Sequence, residues 1–126
     1  MDTMGSYLTA MDAAAGDTPA SYARILGANR PRMLELAAAM TDGALPTGST
    51  PTDTATTRTV LGPDKLLVVY LDAGPDQGTP DQVTTTIEAH LTAGADHVIT
   101  GAALGTTFRN SAARLEELAP ALASFL

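Results

Sequence analysis

Leu66-Leu67-Val68-Val69-Tyr70-Leu71 is a nearly unbroken apolar run, the pattern of a strand covered on both faces in a parallel sheet. Gly62-Pro63 stops a helix just before it. After it, Thr79-Pro80-Asp81-Gln82 opens another, with Thr79 as N-cap and Gln82 at the N3 position of a capping box. Val83, Ile87, His90 and Leu91 then line one side of that helix until Gly94 ends it.

The same alternation recurs on both sides. Upstream, Arg24-Ile25-Leu26-Gly27-Ala28 is a short apolar run, and Pro31 opens a helix that carries Met33, Leu34, Ala37 and Met40 on one face. Gly43 is expected to terminate that helix before the short segment Ala44-Leu45. Thr50-Pro51-Thr52-Asp53 then starts the next helix, with Asp53 suited to the positive end of its dipole. Downstream, His97-Val98-Ile99-Thr100 reads as a short strand, followed by a loop from Gly101 to Asn110. A last helix from about Ser111 carries Leu115, Leu118, Ala119 and Leu122 on one face. Residues 1–23 mix an apolar stretch around Tyr7, Leu8 and Met11 with a Gly16-Asp17-Thr18-Pro19 turn, and read as a leading helix or arm.

Strands alternating with helices predict an α/β fold with a parallel sheet and right-handed crossovers. A complete (β/α)8 barrel takes roughly 250 residues, so four units in 126 residues correspond to a partial, TIM-barrel-like half. The expected organisation is an arm over 1–23 and a half-barrel domain over 24–126.

Composition narrows the function classes. Fourteen acidic residues against seven basic ones give a formal net charge of -7, which repels phosphate backbones and anionic lipid surfaces and argues against nucleic-acid and membrane roles. The absence of cysteine excludes disulfides, a thiolate nucleophile and cysteine-ligated zinc, and fits a reducing compartment. No signal-peptide pattern and no bilayer-length apolar run is present, so the expectation is a soluble, cytoplasmic chain. There is no GxSxG elbow and no Walker loop, and Gly101-Ala102-Ala103-Leu104-Gly105 fits neither dinucleotide nor phosphate-loop spacing.

A resemblance adds to this reading. Leu26 to Ala37, closing at Thr41-Asp42-Gly43-Ala44, is similar to the fifth strand and helix of the luciferase-like monooxygenase superfamily, especially its actinobacterial deazaflavin-dependent branch. Leu61 to Val68 resembles that family's strand entrance, Gly78 to Val83 its GTP-type helix start, and Ala89 to Val98 its penultimate turn. Leu118-Ala119-Pro120-Ala121-Leu122 resembles its ending. The resemblance covers about residues 24 to 122 and implies the C-terminal half of an oxidoreductase barrel. It departs from the family in lacking the first four strand–helix units and the long insertion before the GTP motif, where only Ala73-Gly74-Pro75-Asp76-Gln77 stands.

Intact relatives transfer hydride between coenzyme F420, a deazaflavin, or flavin mononucleotide (FMN) and a small substrate. The resemblance places Gly27, Ala28, Asn29 and Arg30 where the family holds the phosphate-bearing tail of its cofactor. Glycine permits close backbone approach, a helix start offers N–H groups, and arginine supplies a charged fork. Against this stands the plain reading that Gly27 makes a turn and Arg30 is a solvated surface charge.

No catalytic residue is identifiable. His90 and His97 have no carboxylate at metal-ligand spacing, read as structural, and no metal site is expected. Arg114, Glu116 and Glu117 read as a solvated face of the last helix. The alternative is a non-catalytic α/β binding or structural module, and a flavodoxin-like open sheet remains a third possibility. A half-barrel implies a homodimer or a separate N-terminal half as partner, because its sheet edges and apolar faces need covering.

Overall fold

The computed structural model of the chain describes residues 2–16, 23–101 and 105–126. Helix α1 (Asp2–Ala15) precedes an alternating series: β1 (Ile25–Gly27), α2 (Pro31–Met40), β2 (Gly43–Leu45), α3 (Pro51–Leu61), β3 (Leu66–Asp72), α4 (Pro80–Thr92), β4 (His97–Gly101) and α5 (Phe108–Leu122). The strands form one four-stranded sheet in the order β1-β2-β3-β4, and every pairing is parallel. Asp17, Thr18 and Pro19 of the expected turn, and Ala102 to Leu104 of the Gly-rich loop, lie outside the described residues.

Helix starts follow local chemistry. Thr50 and Thr79 each accept from the N3 backbone N–H, and the N3 side chains of Asp53 and Gln82 return the bond, completing two capping boxes. Thr107 caps α5 by accepting from the Asn110 N–H at 3.3 Å. That helix therefore begins three residues before the expected Ser111, the threonine hydroxyl satisfying an otherwise orphaned donor.

Consecutive parallel neighbours joined by crossovers of one hand must all send their helices to the same side of the sheet. Leu26, Ala44, Leu67 and Val69 face that side and pack with Leu34 and Ala37 of α2 and Leu61 of α3. Further along the same side, Val83 and Ile87 of α4 meet Leu118 of α5, with Leu71 and Val98 beside them. Helix α1 packs on α2 instead, where a Cβ on Gly5 would meet Leu36 and Met40 at 3.8 Å.

The opposite face, carrying Ile25, Gly27, Leu45, Val68 and Ile99, is joined by no helical residue among the described ones. This corrects the expectation that β3 is covered on both faces. Leu67 and Val69 are 0% exposed beneath helices, whereas Val68 lies on the face where no described helical residue packs and borders a recess with Leu45 and Ile99. Ile25 and Ile99 remain 41% and 48% exposed.

Two further expectations change. Gly43 does not terminate α2: the helix ends at Met40 with the Thr41 N–H on the Ala37 carbonyl, and Gly43 opens β2, where a Cβ would run into the backbone of Leu66. In α5 the buried line runs through Arg114 and Leu118, while Leu115 is 45% exposed and Ala119 is exposed. Leu91 likewise turns out of the α4 core, 37% exposed, beside a fully buried His90.

Candidate functional site

Four parallel strands deliver four loops to one end of the sheet, the end where sites collect in parallel α/β folds. Gly27, Ala28, Asn29 and Arg30 form the first of these loops, and the structure gives them four different fates. Gly27 lies on the open face, where a Cβ would meet nothing within 4 Å. No internal contact explains a glycine there, although it weakens a strand by roughly 0.5–1 kcal/mol relative to alanine. Ala28 is 4% exposed within the helix-side core, and its N–H points to the Leu45 carbonyl at 3.4 Å. Asn29 reaches the second loop: its Oδ1 accepts from the Thr47 N–H at 2.8 Å and its Nδ2 donates to Thr47 Oγ1 at 3.2 Å.

Arg30 is the N-cap of α2 and makes no side-chain capping bond. Its side chain is exposed. The first turn of α2 holds no acid, but its donors are few: Pro31 has no N–H, and the Met33 N–H turns back to the Arg30 carbonyl at 2.9 Å. The Arg32 N–H is the first-turn donor left without a helical acceptor. The N-terminus of α3 cannot serve in its place. Hydrogen bonds from the Thr50 N–H and then the Thr50 hydroxyl hold the Asp53 carboxyl below the usual carboxylate range, so a fixed negative charge already occupies that helix start. Asp53 also lines a cleft of about 320 Å³ with Asn29, Thr47 and Ser49, which disfavours an anion in it.

The strand ends hold residues that the sequence reading passed over. Tyr70 and Asp72 alternate with Leu66 and Val68 along β3, so they share the open face. Thr47 bridges to Tyr70, and Tyr70 pairs in register with Ile99. The Asp72 carboxylate accepts from the Gly74 N–H at 2.9 Å. Asn29, Thr47, Tyr70 and Asp72 thus make a polar rim above an apolar floor of Leu45, Val68 and Ile99. The signal was legible: 67, 69, 71 and 73 are all apolar, whereas 66, 68, 70 and 72 turn polar toward the C-terminal end.

Arg114 overturns its reading as part of a solvated face. It is 5% exposed. Its Nε donates to the Ala73 carbonyl at 2.8 Å, its Nη2 to the carbonyls of Gly74 at 3.2 Å and Gly78 at 2.6 Å, and its Nη1 to Glu117 at 3.0 Å. This ties α5 to the β3–α4 loop. Glu116 and Glu117 themselves are exposed, as expected. The Gly78-Thr79-Pro80 turn is accounted for by capping and by this arginine, and Gly78, at φ 104°, leaves room that a Cβ would take from Gln82.

The opposite end of the sheet is given to staples. Arg58 donates to the carbonyls of Gly94, Gly62 and Lys65 and to the Asp96 carboxylate at 2.6 Å. Burial alone would raise the Asp96 carboxyl, but the Leu67 N–H, the Arg58 guanidinium and the charge of His97 together hold it below its ordinary value. Between α3 and α4, His90 is 1% exposed, with Nδ1 2.8 Å from the Thr54 hydroxyl, and burial lowers its pKa. His97 is exposed and faces the open side at the foot of β4.

Among the described residues, no group of three or more His, Cys, Asp or Glu is placed to hold a metal ion, and no helix is long and apolar enough to cross a membrane. No family model matches the chain, and no curated protein and no solved structure matches it.

Proposed function

We propose that this chain is the C-terminal half of a luciferase-like oxidoreductase barrel, related to enzymes that transfer hydride between coenzyme F420 or FMN and a small substrate, and inactive without a partner half. One observation carries the reading. Among the described residues every helix packed on the sheet lies on one side, so the other side presents an apolar floor under a polar rim at the C-terminal strand ends, the arrangement expected of a (β/α)8 barrel cut lengthwise.

The residues present suit only the phosphate-bearing tail of such a cofactor. Arg30 offers an exposed guanidinium with no partner among the described residues and the Arg32 N–H a donor at the positive end of α2, while Gly27 leaves the open face clear for close approach. The cofactor, when bound, carries the hydride. This half contributes tail binding and the rim of Asn29, Thr47, Tyr70 and Asp72, and the ring pocket falls to the partner half.

A second reading is favoured by a specific observation. Ala28 is buried and both polar atoms of Asn29 are committed to Thr47, so two of the four expected cofactor contacts serve the chain itself. That suits a non-catalytic α/β module. Fluorescence titration with the deazaflavin coenzyme and, in parallel, FMN decides between the two. Saturable binding weakened roughly tenfold by Arg30→Ala supports the oxidoreductase half; no binding of either cofactor leaves the module.

A further inference from the structure

The half-barrel reading leaves open what covers the bare side of the sheet. We propose that a second copy of this chain covers it: the β4 edge of each copy pairs in parallel with the β1 edge of the other, closing an eight-stranded barrel about a two-fold axis. The inference rests on the half-barrel reading and names its partner.

Three observations choose this occupant. The first is edge geometry. β1 and β4 are the outer strands of an all-parallel sheet in consecutive order, so one two-fold operation satisfies both edges of both copies at once. A peptide would pair one edge and a small molecule neither.

The second is area. The chain exposes 7915 Å², where a folded monomer of 12.9 kDa exposes roughly 6300 Å². The excess of about 1600 Å² is about twice the ~800 Å² that each partner buries in a standard stable interface.

The third is complementarity along the seam. The floor residues Ile25, Leu45, Val68 and Ile99 carry no charge, and of the described acids only Asp72 stands on that face, at the end away from His97, so the -7 of the chain is not concentrated where the copies would meet. Outside the sheet, the helix next to each free edge has an unfilled apolar surface. α5, after β4, exposes Phe108 and Leu115 at 89% and 45%, a spacing of seven that puts them on one stripe. α1, before β1, offers with α2 a cleft of about 710 Å³ lined by the small residues Gly5, Ser6, Ala10 and Ala13 beside Leu36 and Met40. The stripe and the cleft are alike in apolar character, and in chain order α5 follows one edge strand and α1 precedes the other.

Sedimentation equilibrium of the purified chain tests this, with circular dichroism as the folding control. The expected result is a particle of twice 12.9 kDa that halves in mass in Ile99→Lys while its helical signal persists. Where Ile99→Lys loses that signal, Leu115→Lys, on the outer stripe, carries the test and is expected to halve the mass. A wild-type monomer that unfolds cooperatively overturns the dimer and leaves the half-barrel architecture and its cofactor titration standing. A dimer that both folded variants preserve overturns it too, by placing the contact elsewhere.

Discussion

The guanidinium of Arg114 on α5 donates to the carbonyl of Gly78 at 2.6 Å, across 36 positions of sequence, and through it the last helix holds the loop that precedes α4. An arginine with its neighbours Ala73 at 1% and itself at 5% exposure is tolerated in a core because each donor has an acceptor. Arg114→Met removes the donor and leaves several carbonyls short. A loss of about 3 kcal/mol is expected in urea unfolding, with Arg114→Lys recovering only part of it, since an ammonium lacks the planar fork that spans Ala73, Gly74 and Gly78.

Asp96 predicts an acid-sensitive increment of stability. Its folded pKa lies below the ordinary 3.8, so the carboxylate contributes above that value and the contribution is lost as pH falls through the lowered one. The side chain is 44% exposed, which limits the increment to about 1 kcal/mol. Denaturant titrations of wild type and Asp96→Asn are expected to differ at pH 7 by a gap that narrows steadily once pH falls below 3.8; a gap of constant size across that acid range would assign the effect to packing instead.

His90 acts in a different window. Burial lowers its pKa from 6.5, so between the folded value and 6.5 the unfolded chain binds more protons. Stability is full above 6.5 and declines as pH drops through the lowered value. Wild type is expected to lose unfolding midpoint between pH 7 and pH 5, and His90→Gln, which cannot titrate, is expected to lose less over the same interval.

Tyr70 and Gly101 are coupled on the open face. A Cβ on Gly101 would come within 2.5 Å of the Tyr70 hydroxyl oxygen and 3.0 Å of its Cε2, so the ring occupies the space a side chain would need. Gly101→Ala is expected to cost about 1–3 kcal/mol through the displaced ring. A double-mutant cycle with Tyr70→Leu is expected to return a coupling of at least about 0.5 kcal/mol; additive effects would show that the ring moves aside freely.

The fold was largely legible because its signals are local. Thr-Pro starts satisfy helix donors within four residues, and the run from Leu66 to Leu71 declares a strand, so element order and the parallel sheet follow from neighbours in sequence. The site was less legible. Asn29 was expected to face a cofactor, but the loop after β2 brings Thr47 alongside it, a relation that a separation of 18 positions conceals. Arg114 misled for the same reason: beside two glutamates it reads as surface, and only the packing of α5 against α4 puts it on the line of Leu118.

The sequence by itself determined the order and type of the elements, the Thr-Pro starts of α3 and α4, and how many strand–helix units the chain contains, because capping, periodicity and chain stiffness act over a few residues. The tertiary structure alone decided that the helices share one side of the sheet, that Ile25 and Ile99 stay exposed on the other, and that Arg114 and Arg58 gather carbonyls from distant loops. Those outcomes depend on which surfaces meet once the crossovers are made, and burial is a property of the assembled layers rather than of any segment.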